Sequence, residues 1–127
     1  METRYTTNEI LHAAHNVRKQ VLRMAIERVG SYLGQANSSA EIISTLYMRV
    51  LNIGESLGNP EAAPFPGVPS PENMNYPKGS LYNGPATSNF DRFFLSPAHY
   101  AVVLYCVLAE FPIMPSKNST LTAGIWK

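Results

Sequence analysis

A histidine stands at the mouth of an apolar run in the stretch DRFFLSPAHYAVVLYCVLAE, residues 91 to 110. Imidazole titrates near neutrality, so a histidine there can move a proton or bind an anion. The Ser96-Pro97 step ahead of it is a helix-start signal, with Ser96 as N-cap and Pro97 at the first helical position. His99 therefore falls in the first helical turn, beside outward-pointing amides and the positive end of the helix dipole, where a phosphate would be favoured. The alternative is a histidine bonded to a neighbouring carbonyl. Tyr32, in the glycine-bearing stretch GSYLGQANS, is a second residue facing a possible site, unless its ring merely packs on the chain. His12 and His15 lie three residues apart and could share a helix face for a metal, but no third ligand stands at matching spacing. Asp91 and Arg92 read as a fold-fixing pair or turn. No dinucleotide-binding glycine pattern, phosphate-binding lysine loop, HExxH or GxSxG motif occurs.

Positioning these residues requires helices. Thr6 and Glu9 form a capping box, so a helix should start near Asn8, and Ile10, Ala14, Val17, Val21, Ala25 and Val29 recur at helical spacing behind it. Arg18, Lys19, Arg23, Glu27 and Arg28 mark its wetter faces, and Gly30 or Gly34 should end it. A second capping box, Ser38 with Glu41, precedes a stripe of Ile42, Ile43, Leu46, Tyr47, Val50 and Leu51, which predicts a helix running to about Asn52. Residues 53 to 89 carry prolines and glycines at a density that breaks regular structure, and a loop this long in a compact domain is functional or disordered. Its rings Phe65, Tyr76 and Tyr82 argue that parts of it dock on a surface. Phe93, Phe94 and Leu95 suit a brief extended segment.

The helix from Pro97 is apolar on every face between Tyr100 and Ala109, which suits the middle of a larger structure. Two amphipathic helices are not expected to wrap it, and almost no strand is available to form a sheet. The rest of the core should lie in another chain or in further sequence, leaving an apolar patch on the chain alone. A polar tail, residues 116 to 127, holds another short helical possibility and Trp126.

The 127 residues fit one domain, and the formal charge of +1 with 15% charged residues offers no basic footprint for nucleic acid. Cys106 is the sole cysteine, so no disulfide within the chain and no cysteine metal cluster can form. The first twenty residues lack an apolar core of signal-peptide length and the longest apolar run is too short for a bilayer, so a cytoplasmic protein without a membrane role is expected. Asn37-Ser-Ser and Asn118-Ser-Thr are then chance matches to the glycosylation pattern.

Two linked stretches carry a family resemblance. SYLGQANSSAEIISTLYMRVLN and DRFFLSPAHYAVVLYCVLAE, each heading a helix, resemble the amino-terminal part of transketolase. Ser39-Ala40-Glu41-Ile42, Leu46-Tyr47, Asp91-Arg92-Phe93, Leu95-Ser96, His99 and Leu104-Tyr105 fall on the family's pattern, as does the preceding helix NVRKQVLRMA. The match covers most of residues 8 to 111, and the loop over residues 53 to 89 is longer than the family needs.

The resemblance implies an α/β fold in which residues 1 to 127 form the helical N-terminal portion of a thiamine diphosphate-binding domain, with the central parallel sheet mostly missing from this chain. It implies an enzyme that moves a two-carbon ketol unit between sugar phosphates, using thiamine diphosphate and Mg2+. His99 then lines the site beside cofactor and substrate, and Gly34 lets the backbone approach them. Tyr32 stands where the family has a histidine that helps move protons; a phenol near pKa 10 is a poor base at neutral pH. The family's G-D-G motif and following Asn, which hold metal and diphosphate, are not in this sequence. The implied partners are complementary transketolase subunits, or the remainder of the same enzyme, together with a sugar-phosphate substrate. A non-catalytic interaction or regulatory subunit built on the same fold, or a related thiamine enzyme with another substrate, are the alternatives.

Overall fold

The computed structural model describes residues 5–27, 30, 32–58, 70–74 and 79–111. Three helices pack on one another: α1 (Thr7–Glu27), α2 (Leu33–Thr45) and α3 (Ala101–Glu110). No strand occurs among the described residues, so they display a helical portion and not the sheet of an α/β fold.

The first capping box forms as its sequence dictates. Thr6 N and Oγ1 donate to Glu9 Oε2 at 2.6 and 2.7 Å, and Glu9 N donates to Thr6 Oγ1 at 3.3 Å. Behind it Ile10, Ala13, Ala14, Val17, Val21 and Ala25 are buried. The alanines on this face, with Ala36 and Ala40 of α2, lack bulk and let the helices approach closely. Past the end of α1, Gly30 takes a φ of 132° while its N–H returns to the Ala25 carbonyl at 3.0 Å. Val29 and Arg28, at the predicted end of the apolar stripe, lie outside the described residues.

The second helix departs from its expectation. It begins at Leu33, which puts Gly34 in its first turn instead of in a connecting turn and leaves Ser38 well inside. Ser38 and Ser39 donate their hydroxyls to the Gln35 carbonyl, the back-bonding available to serines in a helix interior. With Ser38 inside the helix there is no capping box for Glu41 to close, and Arg18 of α1 instead bonds both of its carboxylate oxygens. At its C-terminal end α2 widens into a π-helical turn, Leu46–Val50, which buries Tyr47 in the main core and Met48 against Ile10 and Ala13 before the chain turns extended at Leu51.

The third helix also starts later than predicted. Pro97 is extended, at φ −82° and ψ 166°, and caps a 3-10 turn over Ala98–Tyr100 that leads into α3. Pro97 thus occupies the capping position assigned to Ser96, and His99 precedes the α-helix proper. Val102, Val103, Cys106, Val107 and Leu108 are buried, and no residue of α3 is exposed. That corrects the expectation that the chain cannot wrap this helix: Leu51, Ile53, Tyr82, Phe93 and Leu95 from the connecting segments complete the cover that α1 and α2 begin. The exposed large apolar residues lie elsewhere, with Leu11, Leu22 and Ile26 on α1, Ile42 on α2, and Phe94 at 88% exposure.

The described ends of the proline-rich loop close against each other. Leu57 N donates to the Leu81 carbonyl at 2.9 Å, within a 3-10 turn over Gly79–Asn83 that sequence breakers alone did not suggest. Tyr82 docks on the core as expected, whereas Phe65 and Tyr76 lie outside the described residues. Gly84 has φ 75°, and a Cβ there would meet the backbone of Gly54 and Glu55 at 2.8 Å. Only glycine fits both conditions. The polar tail with Trp126 is also outside the described residues.

Candidate functional site

Tyr32 is the N-cap residue of α2, and no side chain caps that end. A phenol cannot reach back to the first amides as Ser or Asp does. Its carbonyl instead accepts from Ala36 N at 3.0 Å, and its ring is turned toward the 3-10 turn ahead of α3. There it meets His99. The ring centroids are 4.6 Å apart at 84°, an edge-on aromatic contact between residues widely separated in sequence.

The two motif stretches are tied together at further points. Asp91 N donates to the Asn52 carbonyl at 2.8 Å, and Asn52 N donates to Asp91 Oδ2 at 2.8 Å. The Asn52 amide also donates to the Asn89 carbonyl at 2.9 Å. Asp91 therefore does structural work, as its position suggested. Phe93 packs edge-on against Tyr47 with centroids 5.5 Å apart. Burial pushes the Tyr47 phenol up to about 12, so it stays protonated at neutral pH.

The site faces solvent. Tyr32 is 52% exposed and His99 is exposed, so the imidazole nitrogens are free to meet a ligand from outside. Gly34 lies in the first turn of α2 with open space where a Cβ would point. The backbone is accessible there, as the sequence suggested. The anion site expected at the start of helix three is partly used up, because Tyr100 N donates to the Pro97 carbonyl at 3.3 Å and Ala101 N to the Ala98 carbonyl.

Metal chemistry finds no donor set here. Among the described residues no three His, Cys, Asp or Glu side chains gather as metal ligands, and His12 and His15 are both exposed on α1. Asp91, the sole aspartate, is engaged with Asn52. The residues present do not fit Mg2+ and a diphosphate on their own. Cys106 is no nucleophile either: burial, reinforced by the charge of Glu110, pushes its thiol up to about 12, and its Sγ rests 3.6 Å from Met24 Sδ.

Sequence reasoning missed two features. The Arg18 bridge to Glu41 and the Asn37 carbonyl was hidden because each residue had a plausible local role. The signal was available as a cation on α1 and an acid on α2, but nothing local pairs them. The second is an open groove at the far end of α3, lined by residues from both ends of the described chain. No helix among the described residues is long and apolar enough to cross a membrane. No protein-family model, curated protein or solved structure matches this chain.

Proposed function

We propose that the chain is one part, a fragment or split subunit, of a thiamine diphosphate-dependent transketolase-like enzyme that transfers a two-carbon ketol unit between sugar phosphates. The observation that carries this reading is the edge-on contact of Tyr32 with His99. The two residues that the family resemblance assigns to one site come from separate motifs and meet. On this reading the metal and diphosphate ligands belong to sequence outside this chain; among the described residues no such set gathers.

The share of this chain is the substrate end of the site. His99 offers ring nitrogens to hydroxyl or phosphate oxygens, Tyr32 orients the imidazole and adds a phenolic donor, and Gly34 leaves room for close backbone approach. Carbanion chemistry requires a site closed to water. The exposure of both rings therefore calls for a covering chain, a complementary subunit or the remainder of the enzyme.

The substitution of Tyr32 for a proton-moving histidine favours a second reading, a non-catalytic interaction subunit. One experiment separates them. The complex purified through this chain is weighed by native mass spectrometry with and without thiamine diphosphate and Mg2+, and assayed for ketol transfer. The enzyme reading expects added cofactor mass, cofactor-dependent transfer, and a loss on the order of a hundredfold with His99→Ala. A complex that assembles without the cofactor and transfers nothing would leave the scaffold reading.

A further inference from the structure

At the C-terminal end of α3, opposite Tyr32 and His99, lies an open groove of about 490 Å³. Tyr5, Glu9, His12, Met48, Glu110 and Phe111 are among the residues that line it. We infer that this groove receives an arginine side chain from a partner protein. The inference does not depend on ketol transfer.

Charge is the first argument. Glu110 sits in the last turn of α3, where a carboxylate opposes the helix dipole. It accepts from Asn16 and Gln20, each at 2.8 Å, and these neutral amides aim the carboxylate without neutralising it. Across the groove, bonds from Thr6 hold the Glu9 carboxyl below its ordinary range. Among the described residues neither acid forms an ion pair. The nearby cation, Arg49, donates Nη2 to the Tyr5 carbonyl at 2.8 Å, and its Nε is buried without a hydrogen-bond partner. His12 is exposed at the rim, its Nδ1 3.5 Å from the Asn16 amide nitrogen.

Shape is the second. The Tyr5 and Phe111 rings lie 6.2 Å apart at 56° and line the groove together with the two acids. A guanidinium suits that combination: it is planar, weakly hydrated, stacks on rings and donates in pairs to a carboxylate, while its alkyl stem lies along apolar side chains such as Met48. A lysine ammonium offers the charge without the plane. The volume is that of an ordinary small-ligand cleft.

The test is an NMR titration of the full chain with Nα-acetyl-arginine methylamide and with its neutral citrulline counterpart. Saturable shifts should appear at Tyr5, His12 and Phe111, with the citrulline compound about tenfold weaker, as expected for losing a charge-assisted bond. Glu110→Gln, and independently Glu9→Gln, which can retain its capping bond, should weaken arginine binding while the helical circular dichroism stays unchanged. Equal binding of both compounds, no saturation at any accessible concentration, or shifts confined to another face would overturn the inference.

Discussion

Gly34 gives the residue scale its sharpest test. It sits in the first turn of α2, two positions after Tyr32, and a Cβ there would meet nothing within 4 Å. Glycine in a helix costs about 0.5–1 kcal/mol relative to alanine, so Gly34→Ala should stabilise the chain by roughly that amount in urea unfolding. If the open space belongs to a ligand, the same variant should lower ketol transfer by the assembled complex. Stabilisation with undiminished transfer would show that Gly34 has no part in the site. Sequence singled out these residues in advance: His99 from its place before an apolar helix, Tyr32 and Gly34 from the motif they share. Their meeting was not legible there, because ring contact depends on where α2 begins and how the 3-10 turn enters α3. Sequence placed both boundaries a few residues wrongly.

At the scale of elements, the tie between α1 and α2 carries a pH prediction. Arg18 holds the Glu41 carboxyl below its ordinary value of 4.5, chiefly by hydrogen bonding. A carboxyl depressed in the folded state adds stability above its unfolded pKa and loses it as pH falls through the lower folded value. Both side chains are partly exposed, so Glu41→Gln should cost no more than about 1 kcal/mol at pH 7. The difference should vanish once pH falls well below 4.5, as read from urea midpoints at the two conditions. A gap that persists in acid would assign the effect to packing. The two capping boxes show what sequence can see. Thr6 and Glu9 are exposed and compete with nothing, so their box forms. Ser38 and Glu41 have the same spacing, but α2 already begins at Leu33, so Ser38 is no helix start and the acid pairs with an arginine more than twenty residues away.

For the whole molecule, the apolar surface expected from helix three lies on other elements. α3 is covered, while Leu22, Ile26 at 74% exposure and Phe94 at 88% face outward. Single exposed apolar residues are ordinary, but several large ones on so small a chain suit a surface that another chain covers. Sedimentation velocity at micromolar concentration should show species larger than one chain, and Leu22→Lys with Ile26→Lys should shift the population toward monomer. A wild-type chain that sediments as a monomer would contradict this account of its surface.

What the sequence by itself determined is local. The start of α1, its buried stripe and the burial of Val102, Val103, Cys106, Val107 and Leu108 follow from capping chemistry, helical periodicity and apolarity, all carried by residues within a few turns of each other. Tertiary structure decided what depends on distant partners. The Asn52 to Asp91 bonds and the left-handed Gly84 against Gly54 draw the ends of the proline-rich loop together. That closure sets the 3-10 turn beside the head of α2 and brings His99 to Tyr32. It also lets the connecting segments cover a helix that two amphipathic neighbours could not have covered alone. Spacing in sequence carries no information about such contacts, because each is chosen by sterics and hydrogen bonding between segments that meet only after the chain has folded.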